Sequence, residues 1–352
     1  MIEAIRPTEG LSGADKSAMG TVNRPLLRIR STFATCSRLV DCLPTIHNTR
    51  EANESLTIQE LPMQTTNNEA IKRNPTIPAE KIVNAFEKAK HEGRGVLIPY
   101  FMCGYPTAAR SVELVLAAAE GGAGIIELGM PFSDPLADGA TIQHAGHVAL
   151  ERGMTIHGCM QVASQVAAQS DVPLLFMGHY NPVMAYGIER FCQTAAASGV
   201  CGLIIPDLPP EEALPLQQSA QQNGLVLIFL VPPTTPDERI AQIVQVASNG
   251  PKGFLYCVSL SGVTGSRTTL PAHLRSFITR VRGYTKEHHL PLAVGFGLST
   301  PEHIAEVTSY AEGAVVGSAL VNLIDQHEEK EQVEAVKRYI QRLCHRGEAS
   351  PS

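Results

Sequence analysis

A glutamate near the end of a short apolar run, followed eleven positions later by an aspartate in a loop punctuated by proline and glycine, is a pairing that can divide acid and base work. The segment reads Ile125-Ile126-Glu127-Leu128-Gly129-Met130-Pro131-Phe132-Ser133-Asp134-Pro135-Leu136-Ala137-Asp138-Gly139. If the run is a strand, the Glu127 carboxyl points into a mouth with apolar walls, where desolvation raises its pKa toward the range useful for proton transfer. Position alone leaves a second reading open: a strand-end carboxylate that reaches solvent or a helix N-terminus. Ser-Asp-Pro and Ala-Asp-Gly are also ordinary turn sequences. Asp134 therefore reads as a turn residue, and Asp138 stands between turn residue and second reacting carboxylate.

Three glycine-bearing loops near the C-terminus suggest a different kind of chemistry. They are Ser261-Gly262-Val263-Thr264-Gly265, Gly295-Phe296-Gly297-Leu298-Ser299 and Gly317-Ser318-Ala319. Free backbone N–H groups, a hydroxyl and a helix start together make a phosphate cradle, although tight turns alone require some of these glycines. Lysines fall on helices or outer loops, with Lys252 ahead of its strand, so a Schiff-base mechanism lacks its nucleophile. His144 and His147 share a predicted helix without a third ligand, so no metal site is expected.

These residues need a scaffold, and the chain from about Ile77 supplies a rhythm of short Val-, Ile- and Leu-rich runs alternating with amphipathic stretches. The runs are Val96–Tyr100, Gly124–Leu128, Pro173–Met177, Gly202–Ile205, Leu225–Leu230, Gly253–Val258, Leu292–Gly295 and Gly313–Val316. Helix-like stretches lie between them, at Ala108–Glu120, Gln161–Ala168, Ile188–Ala197, Glu211–Gln222, Pro236–Val246, Pro271–Arg282 and Pro301–Tyr310. Two further helices, Ser318–Asp325 and Glu329–Cys344, follow the last run. Continuous apolar strands mean burial on both faces, the mark of a parallel sheet covered by helices. Eight such strands over roughly 270 residues predict an α/β fold of the (β/α)8 TIM barrel type, with an open doubly wound sheet as the alternative. Lys81–His91 is expected to be an extra N-terminal helix plugging the barrel bottom. The expected division is a disordered extension over 1–76, a catalytic barrel over 77–346 and a flexible end over 347–352.

Composition excludes several classes. Net charge is −6, from 28 Lys+Arg against 34 Asp+Glu, so no whole-chain basic field attracts nucleic acid. The longest apolar runs are far too short for a membrane span, and a soluble protein is expected. None of the eight cysteines forms a Cys-x-x-Cys pair, which fits a reducing compartment. Arg24, Arg28, Arg30, Arg38 and Arg50 give the extension a basic bias, but Glu3, Glu9 and Asp15 precede them. A solvated extension on a cytoplasmic protein is the preferred reading, with organelle targeting as the alternative.

The long segment from Glu127 to Gly139, followed by Thr141-Ile142-Gln143, closely resembles the signature of the tryptophan synthase alpha subunit family. Further matches come in order: Pro99 with Gly104 and Pro106, Tyr180-Asn181-Pro182, Pro206-Asp207-Leu208-Pro209, Ser261 to Gly265, Gly295 to Gly297, and Gly317-Ser318. The resemblance covers the chain from about Ile77 onward. It implies a (β/α)8 barrel that cleaves indole-3-glycerol phosphate to indole and glyceraldehyde 3-phosphate without a cofactor. Glu127 would be the acid–base group and Asp138 the carboxylate near the indole nitrogen. Tyr100, in place of a Phe common in the family, and Tyr256 would line the indole site. Thr264, Gly265, Gly297, Gly317 and Ser318 would hold the phosphate, with Thr264 on a closing loop. Asp134 and Pro135 would belong to the face that docks on a pyridoxal-phosphate beta subunit in an alpha2beta2 heterotetramer.

Two departures stand out, Ala140 in place of the usual Pro after Asp-Gly and Phe101-Met102-Cys103 in place of smaller residues before Gly104. Neither removes a reacting group. With no beta-type segment after the barrel, a separate subunit or a stand-alone indole-releasing lyase is expected. A sugar-phosphate isomerase using the same cradle and a non-catalytic barrel that activates a partner are the competing readings. The Glu127-to-Asp138 loop favours the lyase.

Overall fold

The strands are buried over most of their length, as continuous apolar runs demand: every residue of Val96–Met102 is buried, and the same holds for Ile126–Gly129 and Gly313–Val316. The computed structural model describes residues 77–135, 138–258, 270–295 and 297–344. The expected extension over 1–76 and flexible end over 347–352 lie outside the described residues. The first half runs α1 Glu80–His91, β1 Val96–Met102, α2 Ala108–Glu120, β2 Ile126–Gly129, α3 Ala140–Glu151, α4 Ile156–Ala167, β3 Leu174–Met177, α5 Tyr180–Tyr186, α6 Ile188–Ala197 and β4 Val200–Ile204. It continues as α7 Leu214–Gln222, β5 Val226–Ile228, β6 Leu230–Val231, α8 Asp237–Ala247, β7 Leu255–Val258, α9 Leu274–Thr285, β8 Leu292–Gly295, α10 Pro301–Thr308, β9 Gly313–Val316, α11 Ser318–Asp325 and α12 Glu329–Cys344.

All pairings are parallel, in the order β5-β4-β3-β2-β1-β9-β8-β7-β6. The two ends of that order are consecutive in sequence. The fifth expected run, Leu225–Leu230, is one stave read as two short strands, because β5 pairs back to β4 while β6 pairs forward to β7. Phe229 between them accepts the Tyr256 N–H at 3.0 Å, which closes the circle. The result is the expected (β/α)8 TIM barrel.

Period-two alternation sorts the strand residues into two cores. Val96, Ile98, Ile125, Leu175, Phe254, Ala293 and Val315 fill the barrel interior. Leu97, Phe101, Ile126, Leu128, Phe176, Leu255 and Val316 face the helices. The expected plug is α1, which turns Ile82, Phe86 and Ala89 into the barrel's N-terminal end. There the Phe86 and Phe254 rings sit 5.6 Å apart, an aromatic contact that contributes about 0.5–1.5 kcal/mol beyond burial.

Local chemistry sets several helix starts. Thr107, Thr155 and Thr300 each accept a backbone N–H from three residues on, capping α2, α4 and α10. The short helix α5 was not among the expected stretches. Its capping group is remote in sequence: the Asp207 carboxylate, in the loop after β4, accepts the Tyr180 N–H at 3.0 and 3.1 Å.

Candidate active site

The alternation that places Ile125 inside the barrel also places Glu127 there, one layer higher. Glu127 is fully buried, and neither carboxyl oxygen has a hydrogen-bond partner among the described residues. Burial, reinforced by the nearby Asp138 charge, pushes its pKa up to about 8. A cavity of about 150 Å3 opens above it, with Tyr100, Asp138, Met177 and Tyr256 in its walls. Tyr100 and Glu127 are direct partners across β1 and β2. Burial raises both phenols well above their ordinary range; the Asp138 and Glu127 charges add to it at Tyr100, and Glu127 alone at Tyr256.

Glycines give the two tyrosines their room. A Cβ on Gly129 would run into the Tyr100 hydroxyl, and one on Gly295 would lie 2.7 Å from that of Tyr256. Gly295 is therefore more than part of a turn: it lets an aromatic side chain lie across the strand end.

Asp138 reaches the cavity from the loop after β2. Its N–H donates to the Pro135 carbonyl at 3.1 Å, and Gln143 ties the loop down by donating to the Asp138 and Pro135 carbonyls at 2.8 and 3.2 Å. This tether matters because α3 begins at Ala140 behind Gly139, without a side-chain cap. Burial raises the Asp138 pKa, and the imidazole of His179 acts against that rise. Asp134 is exposed and accepts the Ser133 hydroxyl at 2.6 Å, with Pro135 half-buried beside it.

The expected phosphate groups converge in part. Gly297, with a φ of +59° that glycine adopts at little cost, joins Gly317 and Ser318 at the same cavity. Ser318 opens α11, so the first N–H groups of that helix have no partner within it and are available to an anion. Thr264 and Gly265 lie outside the described residues. His144 and His147 are exposed, and His147 pairs with Glu151 at 3.2 Å. Among the described residues no group of three or more His, Cys, Asp or Glu could hold a metal ion.

Two wall residues, Met177 and Val315, and His179 near Asp138 were not singled out from the sequence. Met177 and Val315 occupy the same inward register as Leu175 and Glu127, so the strand alternation carried the signal for them. His179 had no such signal. It lies just beyond β3, its Nε2 is buried without a partner among the described residues, and its ring stacks on Phe132 at 5.0 Å.

Comparison with known proteins agrees with this geometry. The family model described as tryptophan synthase alpha chain matches residues 86–348. The tryptophan synthase alpha chain of Chloroflexus aggregans is 49% identical over 264 residues, covering 75% of this chain and 96% of the relative. The crystal structure of the tryptophan synthase alpha chain from Legionella pneumophila superposes with a TM-score of 0.67 at 34% identity, over 75% of this chain and 95% of that one. A structure of the tryptophan synthase a2b2 complex from the hyperthermophile Pyrococcus furiosus gives 0.65 at 37% identity, over 71% and 98%. With two carboxyl groups facing one cavity at the mouth of a (β/α)8 barrel and sequence likeness over most of its length, the chain belongs to the tryptophan synthase alpha chain family.

Proposed function

We propose that the lyase reaction that family membership gives this chain, cleavage of indole-3-glycerol phosphate to indole and glyceraldehyde 3-phosphate, is carried by Glu127 and Asp138. The observation that supports this most directly is the buried Glu127 carboxyl, unpartnered among the described residues, in one cavity with Asp138. Breaking the bond between indole C3 and the glycerol chain needs a proton on C3 and removal of the proton from the adjacent hydroxyl. A carboxyl with a pKa pushed up to about 8 is neutral at pH 7 and can give the first proton. The carboxylate it leaves can take the second, returning Glu127 to its starting form while the carbon–carbon bond electrons go to the indole ring. Asp138 would set negative charge against the indole N–H and stabilise the iminium-like form with C3 protonated. Tyr100 and Tyr256 would bracket the indole ring. Gly297, Gly317 and Ser318 would hold the phosphate, joined by Thr264 and Gly265.

The loop carrying Asp134 and Pro135 would meet a beta subunit in an alpha2beta2 heterotetramer that receives the indole; the Pyrococcus furiosus a2b2 complex supports this reading. Residues 77–346 would form the catalytic barrel, with 1–76 an extension outside it. A cytoplasmic setting fits the free thiols of all six cysteines among the described residues. Among the described residues no helix is long and apolar enough to cross a membrane. Incubation with indole-3-glycerol phosphate, with and without a beta subunit, tests the proposal. Free indole and glyceraldehyde 3-phosphate in equal amounts are expected, with faster turnover when the beta subunit is present. No indole in either case would refute the reaction, and equal turnover in both would refute the partner.

A further inference from the structure

A concavity larger than the one over Glu127 lies at the opposite end of the barrel. It is a cavity of about 390 Å3 among the residues that precede β7, β8 and β9, bordered by α1 and the C-terminal end of α9. That volume lies within the range of small-molecule sites, about 300–1,000 Å3.

Its floor is apolar and buried, formed chiefly by the Phe86 ring and Leu290. Its rim is cationic: Lys90, Lys252 and Lys286 are exposed around it, and none forms an ion pair among the described residues. Glu87 is the carboxylate left to face them. Glu312, on the same wall, is already engaged by Arg282 at 2.7 Å and by the Leu292 N–H at 2.8 Å. A surplus of positive charge here runs against the chain as a whole, whose net charge is −6.

Thr285 makes the second, independent observation. It borders the cavity, is fully buried, and its hydroxyl has no hydrogen-bond partner among the described residues. Elsewhere in this chain helical threonines satisfy themselves on the carbonyl four residues back, as Thr194, Thr279 and Thr308 do at 2.7, 2.8 and 2.8 Å. A buried hydroxyl left unpaired is costly to the fold. At Thr285 the unused donor stands between an apolar floor and a cationic rim.

We propose that this cavity is a second ligand site, for a small organic acid whose flat apolar body rests on Phe86 and Leu290. Its carboxylate or phosphate meets Lys90, Lys252 and Lys286, with the Thr285 hydroxyl donating to it. The proposal stands independently of the roles given to Glu127 and Asp138, because no residue is shared between the two cavities.

Calorimetric titration of the full-length chain with benzoate and with phenyl phosphate tests it, and the two probes separate carboxylate from phosphate. Benzamide controls for the charge and inorganic phosphate for the apolar body. At least one charged aromatic probe is expected to bind saturably, with both controls weaker by roughly tenfold or more, a difference of about 1.4 kcal/mol. The exposed-lysine variant Lys90→Gln/Lys252→Gln/Lys286→Gln is expected to lose a similar factor while releasing indole at the wild-type rate. Thr285→Val should weaken the same probe severalfold. Four outcomes would overturn the proposal: no saturable binding of either charged probe, benzamide binding as tightly as benzoate, inorganic phosphate binding as tightly as phenyl phosphate, or binding that survives loss of the three lysines.

Discussion

Glu127 is a fully buried carboxyl without a hydrogen-bond partner among the described residues, and the consequences can be signed. Burial raises its pKa from 4.5 to about 8, so the folded chain keeps a proton that the unfolded chain releases. The stability this contributes is complete below about pH 4.5 and is lost as pH rises through about 8. Glu127→Gln removes the titrating group, and thermal melts should show the variant gaining on wild type across that window and ahead of it above pH 8. The same proton is the one proposed for indole C3, so kcat/KM for indole release should fall as pH rises through about 8. A profile that instead rises there would show that the ionised form starts the reaction. That Glu127 faces inward was legible in the sequence, because Ile125 and Glu127 share one face of a strand buried on both sides. His179 was not legible: its place beside Asp138 depends on β3 ending opposite the loop after β2, a meeting that no local spacing records.

At the scale of elements, the staves with continuous apolar runs and the threonine-capped α2 and α10 could be read to within about two residues, whereas α4 starts at Ile156, five residues ahead of the expected Gln161. Elements whose cause lies elsewhere in the chain could not be read this way. The split of the fifth stave at Phe229 comes from barrel closure, in which one strand serves two neighbours at different heights. Helix α5 likewise depends on Asp207, 27 positions beyond the Tyr180 N–H that it accepts. Asp207→Ala removes that acceptor and should destabilise the fold by about 0.5–1 kcal/mol, read as a lowered midpoint in urea. It should also loosen the segment holding His179, so a variant with unchanged stability would show that α5 does not rely on this cap.

At the scale of the whole molecule, the barrel separates its tasks by end. The C-terminal ends of the strands gather the carboxylates, the two tyrosines and the start of α11, while α1 and the Phe86–Phe254 contact close the other end. The family model begins at residue 86, inside α1, and the cavity over Glu127 draws on nothing before Tyr100. A chain starting at Ile77 should therefore fold and turn over indole-3-glycerol phosphate at the full-length rate in a purified assay. A large fall in kcat on truncation would place the first 76 residues within the working enzyme.

The proposed mechanism rests on Glu127 acting as a proton donor and acceptor rather than as a buried structural carboxyl. Steady-state indole release by Glu127→Gln, beside wild type and with circular dichroism to confirm the fold, tests this most directly. A loss of roughly 10²–10⁴-fold in kcat with the barrel intact is the expected result. Release of indole near the wild-type rate from a folded variant would contradict it.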